Sequence, residues 1–364
     1  MLFSSTAVVV GILWDISWHR TIGRDTFWTP AHISEYLGGV IAGLSCGWII
    51  IKTSFFASEA DRAGGVRFWH YFTGPTGAWV AVWGTFAMLT SAPFDDWWHN
   101  AYGLDVKILS PPHVVLGLGI TAIALGAMLM TLALQNRRAE DGDAGKIKYL
   151  YAYSAGLVVL FVLIFATEFM VIPVMHHSMF YKAGAMLFPL LLIGTARGSR
   201  LRWPATTVAG MYMIVTEAMV LILPLFPAEA KLGPIRHVVT HMVPPDFPFL
   251  LVIPAAVLDL VLRRFPSDGR RDWLASVVAG LSFISVFVVV QWFFGDFLHS
   301  PLARNAFFAA NEFDYGTGPQ SFSQRYAFFP DPRLATGLAM AALYAVISAR
   351  LGLWWGSWMR RVRR

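Results

Sequence analysis

Long apolar runs separated by short polar segments make up most of the chain. Ten of them reach roughly 17 to 25 residues, the length that crosses the hydrocarbon core of a bilayer as a helix. Their approximate bounds are 2–18, 31–56, 72–94, 113–136, 148–172, 179–196, 204–226, 247–263, 272–295 and 334–356. The first run has no basic segment before it and no small-residue cleavage site, which favours a retained helix over a removable signal. The pattern predicts an all-α, polytopic membrane protein with about ten transmembrane helices in a single domain, 1–364.

Composition and charge agree with this prediction. Of the 364 residues, 56% are hydrophobic and 14% are charged, whereas a soluble domain has about 25% charged residues. Most of the 28 Lys and Arg residues fall after the second, fourth, sixth, eighth and last runs, so the positive-inside rule predicts an inner membrane protein with both termini in the cytoplasm. The net charge of +6 then belongs to the inner membrane face. We find no basic stripe with interleaved aromatic residues, and we therefore expect no nucleic-acid partner.

The histidines are distributed unevenly across the predicted membrane. All of the 10 histidines except His70 fall on or near the side that this topology makes the outer, periplasmic one. Histidines scattered through a protein core would not follow the membrane normal. The asymmetry predicts a polar or metal-bearing layer on the outer side.

Two polar stretches share one motif. DISWHRTIGRDTFWTPAH begins at Asp15 and DDWWHNAYGLDVKILSPPH begins at Asp95, and both follow the pattern Asp-x3-His-x3-Gly-x-Asp. Each continues through proline to a second histidine, His32 or His113, and each lies between two apolar runs. This arrangement predicts that the first two helical hairpins are an internal repeat. The predicted parts are a first motif hairpin at 1–57, a second at 72–137, and the remaining helices at 147–364 with a long outer loop at 298–332.

The spacing within each motif suits a metal ion. An aspartate and a histidine four residues apart lie on the same face of a helix, one turn from each other. Two imidazoles and one carboxylate are ligands that copper, non-haem iron and zinc share, and an ion would compensate a carboxylate at the edge of the hydrocarbon. The predicted metal ligands are Asp15, His19 and His32 in the first copy and Asp95, His99 and His113 in the second.

Each set has an alternative interpretation. The first set could be an interfacial hydrogen-bond network with Arg20 and Arg24. The second could be a structural copy that has lost its metal, or Asp96 could replace Asp95 as its ligand.

The first motif resembles part of a known family. The order Asp-x3-His-x12-His, with Arg24, Asp25 and Thr26 between the histidines, resembles the C subunit of particulate methane and ammonia monooxygenases over roughly residues 10–55. The resemblance implies copper at the first set of ligands, facing the periplasmic side, and the repeat extends this expectation to the second set. It further implies a monooxygenase-like oxidoreductase that activates dioxygen against a small apolar substrate, with an electron donor such as quinol.

The chain also departs from that family. The C subunit has fewer spans and works with separate A and B subunits, and the exported cupredoxin-like domains of the B subunit have no counterpart here. The second copy lacks the Arg-Asp-Thr and has one extra residue between its histidines. The alternative is therefore a non-enzymatic copper-binding or transport protein, or an accessory membrane subunit of a copper enzyme. Membrane or periplasmic partner subunits and a homo-oligomer both fit the sequence, and a transporter would need ligands through the whole membrane rather than on one side.

Weaker candidates lie on the same side. We expect Asp25 and Asp105 to orient the ligating histidines or to cap helices, Glu35 to act as a base near the first set, and Glu217 to handle protons within a span. The remaining candidates for metal or substrate contact are Glu168, His176, His177, His237, His241, Asp296 and His299. Of these, His237 and His241 are four residues apart and are predicted to share a helix face.

Sulfur ligands are expected to play a small part. The single cysteine, Cys46, excludes an intrachain disulfide and a cluster of several cysteines, and its apolar surroundings predict a packing residue. Methionines such as Met170, Met175, Met179 and Met242 could supply thioether ligands for Cu(I), but most are expected to pack or to face lipid. The sequence contains no c-type haem motif, phosphate-binding glycine loop, hydrolase elbow or HExxH zinc-protease motif.

Overall fold

Helices dominate the structure. A computed structural model describes residues 1–23, 28–103, 110–140, 142, 144–167, 169–231, 238–265, 269–310 and 331–363. It is 75% helix and 2% strand, which confirms the all-α class. The helices are α1 (Leu2–Thr21), α2 (Pro30–Phe55), α3 (Glu59–Ala63), α4 (Thr76–Tyr102), α5 (Pro111–Glu140), α6 (Ile147–Ala166), α7 (Ser178–Gly198), α8 (Pro204–Ile222), α9 (Val252–Leu262), α10 (Asp272–Leu298) and α11 (Leu334–Met359). A small antiparallel hairpin of β1 (Val66–Phe68) and β2 (Phe72–Gly74) joins α3 to α4.

Eight helices in the described residues are long and apolar enough to cross a membrane: α1, α2, α5, α6, α7, α8, α10 and α11. These results support an integral membrane protein. Two of the ten predicted spans are not confirmed. The run at 247–263 forms only the 11-residue helix α9, and at 1.5 Å per residue this covers about 16 Å, roughly half of the hydrocarbon core. Helix α4 has 27 residues, but glycine, threonine, serine and tryptophan lower its hydropathy.

Small residues bring α2, α4 and α5 close together in one of two compact units, which contains most of the first half of the chain. A Cβ atom on Gly84 would lie 2.6 Å from the carbonyl oxygen of Gly119, and one on Gly77 would lie 2.6 Å from that of Gly126. Residue numbers rise along α4 as they fall along α5, so the two helices are antiparallel. Such contacts allow backbones to approach where the hydrophobic effect cannot drive helices together.

The second unit contains α7 to α11. Helices α7 and α11 run parallel, since the Ser348 hydroxyl donates to the carbonyl of Met186 at 2.7 Å while Gly352 lies against the carbonyl of Leu190. Helix α10 runs antiparallel to α7, because Arg197 near the end of α7 donates to Asp272 at the start of α10 at 2.7 Å. This buried ion pair ties the two helix ends together.

Candidate metal centre

The first two residues of each motif adopt the same geometry. In the last turns of α1, His19 Nε2 lies 3.3 Å from Asp15 Oδ2. In the last turns of α4, His99 Nε2 lies 3.3 Å from Asp95 Oδ2. Both pairs follow from the four-residue spacing on a helix. The side chains are 20% to 33% exposed, so each pair sits at the edge of the packed protein.

The second histidines occupy equivalent places at the start of the following helices. Helix α2 begins at Pro30, and the hydroxyl of Thr29 before it accepts a hydrogen bond from the backbone N–H of His32 at 3.2 Å. Helix α5 begins at Pro111 with Ser110 immediately before it. Proline fits the first position of a helix and a hydroxyl residue caps it. The pattern Ser/Thr-Pro-x-His therefore occurs before both second histidines, and it places each histidine in the first turn.

The structure brings the three predicted ligands of the second motif together. His113 Nε2 lies 3.7 Å from Asp95 Oδ1, while His99 approaches the other oxygen of the same carboxylate.

Hydrogen bonds orient both rings of the second motif. His99 Nδ1 lies 3.2 Å from the carbonyl oxygen of Gly103, and a carbonyl can only accept, so Nδ1 carries the proton. In a neutral ring Nε2 then points its lone pair at Asp95. Two lone-pair atoms 3.3 Å apart attract each other only when a proton or a cation lies between them. His113 Nδ1 is similarly held by the Ser110 hydroxyl at 2.8 Å. Metal-binding histidines are commonly fixed in this way, through the nitrogen that does not bind the metal.

The carboxylate of Asp95 fits an ion better than that of Asp96 does. Asp95 Oδ1 is buried and accepts no hydrogen bond from the described residues. Asp96 is exposed, and its backbone carbonyl and side chain accept from the Asn100 amide at 2.9 and 3.4 Å. Because a buried carboxylate oxygen without a donor is costly, the geometry favours Asp95 over Asp96 as the ligand.

Another candidate group forms in the second unit, with partners that the sequence did not reveal. His176 Nε2 lies 3.0 Å from Asp296 Oδ1 and 3.1 Å from the carbonyl oxygen of Trp292. His299, three residues after Asp296, has a different partner. Its Nδ1 lies 2.7 Å from the carbonyl oxygen of Gly295, and its buried Nε2 has no hydrogen-bond partner among the described residues.

Asp331 is a site residue that the sequence did not single out. Its side chain is 4% exposed and lies 3.5 Å from His177 Nδ1. Burial raises the pKa of Asp331, but hydrogen bonds from Ser178 and from the backbone of Arg333, together with the nearby charge of His177, outweigh it, so the pKa is lowered overall. The Asp331 carboxylate also accepts the backbone N–H of Ser178 at the start of α7, at 3.0 Å, where the helix dipole favours an anion.

One predicted arrangement is wrong and others lie outside the described residues. His241 is not on a helix but pairs with Pro227 in an isolated bridge, because Pro244 and Pro245 shortly after it disfavour helical backbone. Both carboxylate oxygens of Glu217, within α8, are buried and form no hydrogen bond in the part of the chain that is described. Glu35 is buried in α2 at 3% exposure. The predicted residues outside the described part are Asp25, Asp105, Glu168 and His237.

Comparisons with known proteins give no relative from which a function could be carried over. The chain matches no protein-family model, no curated protein and no solved structure. The resemblance to the monooxygenase C subunit therefore remains a prediction that depends on the motif residues alone.

Proposed function

We propose that this protein is a copper-dependent membrane oxidoreductase of monooxygenase-like type. The observation that supports it most is the convergence of His99 and His113 on the two oxygens of one carboxylate, Asp95, from the ends of two different helices. The same pair geometry recurs at Asp15 and His19. The same aspartate–histidine arrangement occurs at two helix ends. Binding of the same kind of ion at both ends explains this better than a chance occurrence of polar residues does.

Ligand chemistry supports copper, although iron and zinc share these donors. One carboxylate and two neutral imidazoles carry a single negative charge, so Cu(I) would give a neutral site at the membrane edge. Divalent iron or zinc would leave one positive charge, which is more costly near hydrocarbon. The resemblance of the first motif adds to the preference for copper.

The residues of the chain would hold and orient the metal. Gly103 and Ser110 fix the rings of His99 and His113 so that Nε2 of each faces the carboxylate. Copper at such a site would supply one-electron chemistry towards dioxygen. Trp97 and Trp98 of the motif contact Phe94 and Tyr102, with one stacked and three edge-on or tilted ring pairs, and these rings form an aromatic surface suited to a small apolar substrate.

The location of the ligands favours a site on one membrane side over a conducting path. The motif aspartates and first histidines lie in the last turns of α1 and α4, and the second histidines lie in the first turns of α2 and α5. We propose that this end faces the periplasm, with both termini in the cytoplasm, as the distribution of basic residues predicts.

Metal analysis of the purified protein tests the proposal. The wild type, His19→Ala and His99→Ala are purified in a membrane mimetic and their bound copper, iron and zinc are quantified after exposure to all three metals. We expect copper in the wild type and about one copper per protein less in each variant, with Asp96→Asn as a matched control that keeps the full amount. A double variant that binds as much copper as the wild type would refute the site. Bound copper without any dioxygen consumption in the presence of quinol and small apolar substrates would instead favour a copper-binding or accessory protein.

A further inference from the structure

The thiol of Cys46 contacts the thioether sulfurs of two methionines that are distant from it in the sequence. Cys46 Sγ in α2 lies 3.2 Å from Met1 Sδ, just before α1, and 3.9 Å from Met130 Sδ in α5. The Cys46 side chain is fully buried, whereas Met1 and Met130 are partly buried. These three residues are called the sulfur cluster below.

The neighbouring residues leave room for this meeting. Ala78 and Ala81 of α4 pack against Cys46. Gly77 is also part of this face, and a Cβ atom there would lie 2.7 Å from Met130 Cγ. Larger residues at these positions would separate the thiol from the thioether. Ordinary packing does not require three sulfurs to converge, since leucine would fill the methionine positions with nearly the same volume.

The distances suit a small soft ion. Three sulfurs each about 2.3 Å from a central ion, a typical bond length to thiolate, lie about 4 Å from one another in a trigonal plane. The distance of 3.9 Å between the sulfurs of Cys46 and Met130 matches this value, whereas the distance of 3.2 Å between those of Cys46 and Met1 would have to increase slightly. Methionine has three rotatable bonds in its side chain and adjusts readily.

Charge selects the oxidation state. Thiolate and thioether are the ligands that select Cu(I), and one thiolate with two neutral thioethers balances the single charge of Cu(I). Binding breaks the Cys46 S–H bond, forms a copper–sulfur bond and releases the proton to solvent, with no change in oxidation state. A divalent ion would leave a net positive charge among apolar helices, where it is costly.

The sulfur cluster is distinct from the Asp95 site. Met130 follows His113 by 17 positions in α5, so the two lie about 25 Å apart along that helix at 1.5 Å per residue. This is most of the thickness of a hydrocarbon core. The cluster shares no residue with either Asp/His motif.

We propose that Met1, Cys46 and Met130 form a Cu(I)-binding site, separate from the Asp/His motifs and near the other end of the same helices. The site takes the reduced ion alone. Its existence does not depend on the proposed oxidoreductase activity.

Anaerobic titration with Cu(I) tests the site. The full-length protein in a membrane mimetic competes with a colorimetric Cu(I) chelator, and X-ray absorption reports the atoms bound to copper. We expect Cys46→Ser and Met130→Leu to weaken one Cu(I) equivalent at least tenfold, because even losing a group that only orients a ligand weakens metal binding by about 10- to 100-fold. Met128→Leu, a matched control in the same helix at a fully buried methionine, should leave the titration unchanged.

The outcomes separate this site from the Asp/His motifs. In the X-ray absorption spectra, sulfur atoms bound to copper should disappear in Cys46→Ser and persist in His99→Ala. If His99→Ala also loses no copper, the proposed function fails while the sulfur site stands. Met130→Leu nearly conserves volume, so its helical content and thermal unfolding without metal should match the wild type. Unchanged Cu(I) affinity in both sulfur variants, or no sulfur around copper in the wild type, would show that the cluster is a packing contact only.

Discussion

Replacing Asp95 by asparagine removes the one carboxylate that both histidines of the second motif approach. Its Oδ2 lies 3.3 Å from His99 Nε2 and its Oδ1 lies 3.7 Å from His113 Nε2. Without metal, the carboxylate faces ring nitrogens and has a buried oxygen with no hydrogen bond in the described residues. We therefore expect Asp95→Asn to change the stability of the metal-free protein little, or to raise it.

With metal the two proteins should differ. An ion at 100 times its dissociation constant stabilises the folded state by about 2.7 kcal/mol. If asparagine weakens binding about 100-fold, the same ion concentration equals the new dissociation constant, and the stabilisation falls to about 0.4 kcal/mol. The predicted loss is about 2.3 kcal/mol, and it appears only when metal is present.

The assay is denaturant unfolding in mixed micelles, with and without copper. Asp96→Asn is the matched control, because it removes the same charge from the neighbouring, exposed residue. The control should keep the metal-dependent stabilisation of the wild type. Equal stabilisation of wild type and Asp95→Asn, or its loss in Asp96→Asn alone, would refute the assignment of Asp95 as the ligand.

Three further predictions concern packing, charge and pH. Gly84→Val should destabilise the protein by about 1–3 kcal/mol, because a Cβ atom at Gly84 would lie 2.6 Å from a carbonyl oxygen of α5 and overpacking has this cost. The control is Gly47→Ala, where an added Cβ atom would have no neighbour within 4 Å; it should have no such effect in the same unfolding assay. Asp272→Ala should cost about 3–5 kcal/mol, measured likewise, because it removes the carboxylate 2.7 Å from the buried guanidinium of Arg197. The folded-state pKa of Asp331 is lowered. The carboxylate should therefore contribute fully to stability above its unfolded pKa of about 3.9, and this contribution should be lost as the pH falls through the lower, folded value. Asp331→Asn should flatten the dependence of the unfolding free energy on pH in that acidic range, and an unchanged slope would contradict the prediction.

The sequence anticipated the local geometry of the motifs well. A four-residue spacing in a helix puts Asp95 and His99 on one face whatever surrounds them, and the structure shows the expected pair. Proline and a hydroxyl residue before His32 and His113 set the start of the following helices in the same local way. Helix length was also local information, because hydrophobic runs in a membrane must satisfy their own backbone groups.

Contacts between distant elements were not anticipated. His176 and Asp296 were separate candidates in the sequence, yet the structure pairs them with each other across 120 residues. The spacing of residues along the sequence cannot predict such pairs, because it describes the faces of one helix and not which neighbouring helix packs against it. The proline-rich segment after His241 shows a different failure, because a four-residue spacing indicates a shared face only if the backbone is helical.

What the sequence by itself determined is the set of elements: an all-helical, apolar chain and two polar corners with an aspartate and a histidine one turn apart. Hydropathy and helical periodicity carry that information within each segment. Only the tertiary structure decided which side chains meet, including the convergence of His113 on Asp95 and the contact of Cys46 with Met1 and Met130. These contacts depend on how closely α2, α4 and α5 approach one another. The small residues along the helix faces permit this approach, but the sequence does not show which faces pack together.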